Sequence, residues 1–322
     1  MADWAGRDTG AHDVRRVRAA PLHLGLGDYE VRVLSHAVGG QRHYGAAVVP
    51  AGSEPTSRPI VLYTHFGQPG SGPGVSVDDV LVLLGASGAL RHDVVYAIPS
   101  YRSQSLTAAG SVYVSEGVSD PWDGQVDDAL AFLEVVRQAV READTSRVAA
   151  VGLSGGATVA LLAALRDPGV DAVVEYFAPV DFLGDFVEGI FEQALAGDLP
   201  DLPGATYLQE AVIEPLQRGD TDLSAVRLEL IRRSPVYFAD RLPHLQAHHG
   251  RDDAVVPVAQ TRRLETALKE APNGAGWQVF LYEVGGHNPL ALAGSAARVE
   301  RFLDDLVGEE AGSGRLARAA GR

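Results

Sequence analysis

The chain has 322 residues, of which 46% are hydrophobic and none is cysteine, and its formal net charge at pH 7 is −15. Without cysteine it can form no disulfide and no thiolate metal site, and it cannot use a thiol nucleophile. The acidic balance disfavours nucleic acid and anionic lipid as partners, because both require a basic protein surface. No apolar run is long enough to predict a membrane-spanning helix.

Both ends of the chain are polar or rich in small residues, and we expect two flexible segments, residues 1–20 and 308–322. The first segment lacks the apolar stretch of a signal peptide. We therefore expect a cytoplasmic protein, with a secreted form whose signal peptide has been removed as the alternative. The sequence leaves the oligomeric state open between a monomer and a homo-oligomer.

The first predicted elements are two strands in residues 29–50, joined at Gly39-Gly40 as an antiparallel hairpin. Apolar runs then alternate with helical patterns. The predicted strands are residues 59–66, 93–101, 147–153, 170–180, 244–249 and 277–284. The predicted helices are residues 77–90, 124–143, 157–167, 259–271 and 295–307. This alternation is typical of a mostly parallel, doubly wound α/β sheet with helices on both faces.

Residues 182–236 interrupt this alternation, because they contain no convincing strand. Phe182, Phe186 and Ile190 recur four residues apart, as on one face of a helix. We expect this stretch to be a helical cap inserted between two strands, over one end of the sheet. The apolar face of the cap is expected to pack against the domain rather than to line a substrate site.

Ser154 lies between glycines at the junction of a predicted strand and a predicted helix, in the sequence Gly152-Leu153-Ser154-Gly155-Gly156. The pattern Gly-x-Ser-x-Gly is typical of a nucleophile elbow, where a side chain at either outer glycine would collide with the neighbouring strand and helix. Ligands of parallel sheets bind beyond the carboxyl ends of the strands, which is where Ser154 is expected to lie. The partial positive charge of the helix N-terminus at this position favours a developing oxyanion. We interpret Ser154 as a nucleophile, and the alternative is a Gly-Ser loop that only begins a helix.

A serine nucleophile needs a general base and an orienting acid, and both are expected after later strands. His287 follows the last predicted strand and is the candidate base. Asp252 and Asp253 follow the preceding strand, and we favour Asp253 as the acid. Together with His248 and His249 in the same stretch, these two aspartates raise the alternative of a metal site. Adjacent strand residues point to opposite faces, so we expect no metal and structural roles for these histidines, or a place in the pocket for one of them.

An oxyanion hole requires two backbone N–H donors. We assign one to Gly155, which follows the nucleophile, and the other to the glycine-rich loop after residues 59–66. In that loop Gly67 is the first choice and Phe66 the second. His65 is expected to be a structural hydrogen-bonding residue.

The serine, acid and histidine motifs, in this order, resemble those of the α/β-hydrolase superfamily. The finer resemblance is to the catalytic domain of the prolyl oligopeptidase family and its dienelactone hydrolase-like relatives, over residues 28–307. The stretches that carry it are GLSGGATVAL, HGRDDAVVP, SPVYFADRLP and PSYRSQS. The second stretch is similar to the family signature His-Gly-x-x-Asp-x-x-Val-Pro, which places the acid at Asp253. The resemblance implies an eight-stranded α/β-hydrolase domain over residues 21–307, with the cap at about 182–236.

Two features depart from the peptidase pattern. The chain has no room for the β-propeller that filters peptide substrates, and His65-Phe66-Gly67 stands where His-Gly-Gly is usual. We therefore expect a serine carboxylesterase that cleaves small-molecule esters through an acyl-enzyme and requires no cofactor. The alternatives are an exopeptidase or amidase that cleaves short peptide-like substrates with the same triad, and a non-catalytic binding protein. An amidase would need a pocket for the substrate amine, typically formed by paired glutamates. The chain contains Glu175, Glu188 and Glu192, but nothing in the sequence ties them to this role.

Overall fold

The computed structural model describes residues 7, 10–25, 27–65, 74–198, 205–272 and 276–307. The strands of these residues are β1 (His12–Leu24), β2 (Gly27–Val38), β3 (Gln41–Pro50), β4 (Arg58–Thr64), β5 (Gly74–Ser76), β6 (Val95–Pro99), β7 (Ser105–Ala108), β8 (Ser111–Val114), β9 (Ala143–Leu153), β10 (Ala172–Tyr176), β11 (His244–Gly250) and β12 (Trp277–Tyr282). The α-helices are α1 (Val77–Ala86), α2 (Gly124–Ala139), α3 (Gly155–Arg166), α4 (Asp185–Leu195), α5 (Ala205–Leu208), α6 (Glu214–Arg218), α7 (Leu223–Arg232), α8 (Ala259–Glu270) and α9 (Ser295–Val307). The predicted flexible tail, residues 308–322, lies outside the described ranges.

The main sheet has the strand order β1-β2-β3-β6-β4-β9-β10-β11-β12. The pairs β1–β2, β2–β3 and β3–β6 are antiparallel. The remaining pairs of this sheet, β6–β4, β4–β9, β9–β10, β10–β11 and β11–β12, are parallel. Continuous apolar runs form the central strands because both faces of these strands are covered. The predicted hairpin and the mostly parallel, doubly wound sheet are thus confirmed.

The described part of this sheet has nine strands, where the sequence predicted eight. The additional strand is β1, which overlaps the segment 1–20 that was predicted to be flexible and pairs antiparallel with β2. Its side chains are mostly exposed and include Arg15, Arg16 and Arg18, so its sequence lacks the hydrophobic alternation that predicts a strand. Backbone pairing with β2 holds it in place, and its charged side chains discourage further strand addition at this edge. The small sheet β5-β7-β8 was also not predicted.

Two apolar layers cover the two faces of the main sheet. One contains buried side chains of α2, α3 and α8, and the other contains those of α1 and α9. Between β10 and β11 the described residues form helices and no strand, and Phe182 and Ile190 are buried in the α2–α3 layer. Residues 199–204 of the predicted cap lie outside the described ranges. Among the helices that the structure describes, none is both long and apolar enough to cross a membrane.

Candidate active site

The candidate residues follow neighbouring strands of the main sheet. Ser154 comes directly after β9, Asp253 follows β11 and His287 follows β12. Because β9, β10, β11 and β12 are adjacent and parallel, their carboxyl ends meet at one edge of the sheet. This topology places the three residues at the same edge, where ligands of doubly wound sheets bind.

Ser154 occupies a sharp turn between β9 and α3. Its φ of 55° and ψ of −131° are rare for a residue with a side chain, and such a conformation costs about 1–3 kcal/mol. The Ser154 N–H donates to the carbonyl of Tyr176 at the end of β10 (2.9 Å), which ties the turn to the next strand. The hydroxyl does not cap α3, so it is not used to begin the helix.

The glycines on either side of Ser154 are required by close backbone contacts. A Cβ at Gly152 would lie 2.5 Å from the carbonyl oxygen of Gly156, in the first turn of α3. A Cβ at Gly156 would lie 2.4 Å from the carbonyl oxygen of Thr64, at the end of β4. The turn therefore packs against a helix on one side and a strand on the other, as expected for a nucleophile elbow.

His287 and Asp253 are joined by a hydrogen bond. The Nδ1 atom of His287 lies 2.8 Å from Oδ2 of Asp253. A carboxylate only accepts, so the proton is on Nδ1 and Nε2 is left as an acceptor. The Asp253 side chain is fully buried, whereas 21% of the His287 side chain is exposed. The imidazole thus has Nδ1 bound to Asp253, and Nε2 is available to accept a proton.

The environment of Asp253 keeps it ionised. Burial alone would raise its pKa, yet hydrogen bonds from His249 and His287 and from the backbone N–H groups of Val256 and Val255 hold the pKa well below its ordinary value. The two backbone bonds reach Oδ1 at 2.8 and 2.9 Å. A permanent negative charge is therefore directed at the ring of His287.

Phe177 lies between Ser154 and His287 in the network of contacts. Its ring packs against the His287 ring with the centroids 4.2 Å apart, and it directly follows Tyr176, whose carbonyl binds the Ser154 N–H. The hydrogen bonds of the described residues include none between the Ser154 hydroxyl and the His287 ring. In enzyme active sites without substrate, a hydrogen bond between a serine and a histidine is often long and tightens when a substrate is bound. The sequence analysis did not identify Phe177 as part of the site, and no sequence pattern indicates its positive φ of 44°.

Of the two predicted oxyanion donors, Gly155 and Gly67, only Gly155 lies within the described residues. Gly155 is the first residue of α3, so its N–H has no acceptor within the helix and lies beside Ser154. Gly67 and the alternative Phe66 lie outside the described residues. His65 is buried, its Nε2 lies 3.1 Å from the carbonyl of Pro99, and its ring stacks on that of Tyr101. Burial lowers the pKa of His65 to about 4, which fits a neutral structural hydrogen-bonding residue.

The remaining polar side chains of the β11 stretch have partners in the protein. Both ring nitrogens of His248 are bound, to the Tyr282 hydroxyl and to the Gln246 side chain. The same holds for His249, and Asp252 accepts the backbone N–H of Gly286. In the described ranges, no group of three or more histidine, cysteine or acidic side chains is arranged to hold a metal ion. The contact of Asp252 with the histidine loop was missed by the sequence analysis, which weighed this residue as the acid or as a metal ligand.

A scan against models of known protein families finds no match for the chain, and a search of curated proteins finds none either. Solved structures do match. Acetyl xylan esterase 1 from Thermoanaerobacterium sp. JW/SL YS485 matches with a TM-score of 0.64 and 15% identity, over 95% of this chain and 92% of the esterase. S-formylglutathione hydrolase from Agrobacterium tumefaciens matches with a TM-score of 0.54 and 15% identity, over 91% of this chain and 98% of that enzyme.

The strand order and these matches decide the architecture. The chain has the α/β-hydrolase fold. A puromycin-hydrolyzing peptidase from Mycobacterium tuberculosis is similar over 90% of this chain, with a TM-score of 0.58 and 21% identity. The matched region is 39% of that peptidase, so the present chain spans less than half of its length. The predicted resemblance to the α/β-hydrolase superfamily is thereby confirmed at the level of the fold.

Proposed function

We propose that the protein is a serine hydrolase that cleaves carboxylic esters through an acyl-enzyme, with Ser154 as nucleophile, His287 as general base and Asp253 as orienting acid. The observation that carries the proposal is the hydrogen bond between His287 Nδ1 and Asp253 Oδ2 (2.8 Å), at the sheet edge where Ser154 occupies a strained turn. The α/β-hydrolase fold, which the protein shares with esterases and a peptidase, supports hydrolysis as the class of reaction.

The reaction follows from the chemistry of these groups. Ser154 Oγ attacks the acyl carbon while His287 Nε2 takes the hydroxyl proton, and the negative charge of Asp253 stabilises the imidazolium. The N–H of Gly155 and a second donor, which we assign to Gly67, stabilise the tetrahedral oxyanion. His287 then protonates the leaving alcohol as the C–O bond breaks. Water deprotonated by His287 finally releases the acid and restores the serine.

An exopeptidase or amidase that uses the same residues is the alternative. Such an enzyme would need carboxylates that bind the substrate amine. Glu175 is completely buried on β10, where its Oε2 accepts the N–H of Ala178 (2.9 Å), so it does not face a substrate. Glu188 and Glu192 lie exposed on α4. Of the three, Glu175 is therefore disfavoured as a carboxylate that binds a substrate amine.

The test compares wild-type protein with Ser154→Ala on a series of p-nitrophenyl esters of increasing acyl length and on an aminoacyl anilide. We expect ester turnover by the wild type, none above background by the variant, and covalent labelling of the wild type alone by a fluorophosphonate probe. Equal turnover by both proteins would disprove the assignment of Ser154. A wild type that neither turns over esters nor reacts with the probe would support a non-catalytic binding protein, and faster turnover of the anilide would favour the amidase.

A further inference from the structure

A second histidine, His249, contacts the same carboxylate as His287. Its Nε2 lies 3.3 Å from Asp253 Oδ2 and 2.9 Å from the carbonyl oxygen of Val256. His249 is the penultimate residue of β11 and is completely buried, so these contacts are shielded from water. Asp253 Oδ2 therefore lies between two imidazoles.

The hydrogen bonds of His249 define its tautomer. Nε2 faces two acceptors, the Val256 carbonyl and the Asp253 carboxylate, so it carries the proton. Nδ1 then accepts the hydrogen bond from the hydroxyl of Thr261 in α8, 2.7 Å away. Thr261 is itself completely buried. The ring is thus fixed in one orientation, with its single N–H directed at the turn that carries the acid.

His249 also restrains the turn after β11 at two points. The carbonyl of Val256 accepts the hydrogen bond from His249 Nε2–H, and the N–H of Val256 donates to Asp253 Oδ1 at 2.9 Å. The ring of Phe177, which packs on His287, meets that of His249 edge-on with the centroids 6.0 Å apart. The acid, the turn and the packing partner of the base therefore all contact one buried imidazole.

We infer that His249 is a positioning residue, which holds the Asp253 carboxylate and, through it, the orientation of His287. This inference rests on the proposed function, because it assigns His249 a task in the same reaction. A carboxylate held only by its own loop and by His287 could rotate or shift, and a misplacement of about 1 Å in a catalytic group costs on the order of a hundred-fold in rate. His249 does not contact the substrate and exchanges no proton in this scheme.

The test uses two variants of the full chain and a matched control. His249→Phe retains a ring but removes the donor, whereas His249→Gln retains an N–H donor near the position of Nε2. The control is His248→Phe, which changes the neighbouring residue of β11. His248 is equally buried and equally hydrogen-bonded, but its side chain points to the opposite face of the sheet. kcat and KM are measured with a short-chain p-nitrophenyl ester and expressed per folded protein.

We expect His249→Phe to lower kcat by roughly ten- to a hundred-fold with KM changed by less than about two-fold, since the loss concerns orientation and not substrate binding. His249→Gln should recover most of the loss, and His248→Phe should lower the unfolding temperature without a comparable loss of kcat. If His249→Phe does not fold, Thr261→Val provides the measurement, because it removes only the bond that orients the ring. A smaller fall in kcat at unchanged KM is then expected.

Three results would overturn the inference: an unchanged kcat in His249→Phe or, where that variant does not fold, in Thr261→Val; a folded His249→Gln as slow as His249→Phe; or an equal loss in His248→Phe. Failure of the proposed function is recognised separately. If Ser154→Ala retains wild-type turnover, the proposed reaction is wrong and the inference falls with it. If Ser154→Ala is inactive while kcat does not respond to the His249 variants, only the inference is wrong.

Discussion

Asp252 accepts the backbone N–H of Gly286 through Oδ1 at a distance of 2.8 Å. The neighbouring carboxylate, Asp253, binds the ring of His287 at the same distance. Two adjacent acidic residues after β11 thus hold the histidine loop at two points, one at the backbone and one at the imidazole. Because the two carboxylates contact different groups, we expect their substitution to have different effects on turnover.

Replacement of the two acids by asparagine should separate their roles. Asp253→Asn removes the negative charge and favours the wrong tautomer of His287, so we expect kcat to fall by on the order of a thousand-fold or more. Asp252→Asn retains an oxygen that can accept the Gly286 N–H, so turnover within a few-fold of wild type is expected. Both are measured as kcat per folded protein, with the fold of each variant checked by circular dichroism. The reverse order of effects would transfer the role of the acid to Asp252.

The contacts of Gly152 predict the effect of a single added methyl group. In Gly152→Ala the new Cβ meets the backbone of α3 at 2.5 Å, and the strand and helix must separate. We expect a loss of stability of about 1–3 kcal/mol together with loss of esterase activity, because Ser154 moves with the turn. Gly189→Ala is the matched control, since the added carbon in α4 lies within 4 Å of no atom beyond its chain neighbours and the backbone of its own helix. Chemical denaturation should find this control as stable as wild type or more stable.

The sheet could be read from the sequence because its central strands are buried on both faces and therefore consist of continuous apolar runs, as in residues 59–64. β1 could not, since an edge strand with exposed arginines carries no hydrophobic pattern. The strands of the small sheet are three or four residues long, too short for a periodic signal.

The candidate site was predictable where local chemistry determines it. The glycines two residues before and after Ser154, and the position of His287 after the last strand, can be seen directly in the sequence. Contacts between distant segments have no such signal. The packing of Phe177 on His287 depends on tertiary structure alone, and only the His-Gly-x-x-Asp spacing linked His249 to Asp253.

His36 makes the stability of the protein sensitive to acid. Neither of its ring nitrogens has a hydrogen-bond partner among the described residues, and burial, together with repulsion from His43, lowers its pKa to about 3. An unfolded histidine titrates near pH 6.5, so between about pH 6.5 and pH 3 the unfolded state binds more protons and stability falls as the pH falls. The slope from this group is about 1.4 kcal/mol per pH unit.

Replacement of His36 by phenylalanine should therefore flatten this dependence. The ring of Phe132 lies beside His36, so an apolar ring fits the surroundings of the native side chain. We expect His36→Phe to gain stability over wild type as the pH is lowered from 6.5 to 4, in urea denaturation curves measured at each pH. An unchanged slope would mean that His36 does not supply the acid sensitivity.

Arg233 links the helices between β10 and β11 to the loop that precedes α2. Its side chain is 3% exposed and donates to Asp120 at 2.8 Å, to Glu229 at 2.6 Å and to the carbonyl of Pro121 at 3.2 Å. It also donates to the hydroxyl of Tyr207. A guanidinium carries five N–H donors on three nitrogens in a rigid plane, whereas an ammonium group carries three donors on one nitrogen and spans fewer separated acceptors.

Arg233→Met retains much of the apolar stem but leaves Asp120 and Glu229 without their shared cation. Both carboxylates keep partial access to water, with 31% and 39% of their side chains exposed, so we expect a loss of roughly 3 kcal/mol, at the lower end for a broken buried pair. Arg233→Lys should recover only part of it, because one ammonium cannot replace the fork. The measurement is thermal unfolding combined with limited proteolysis of residues 205–232. Detachment of these helices predicts faster cleavage there while the sheet stays folded, and if Arg233→Lys restored full stability, charge alone would account for the role of Arg233.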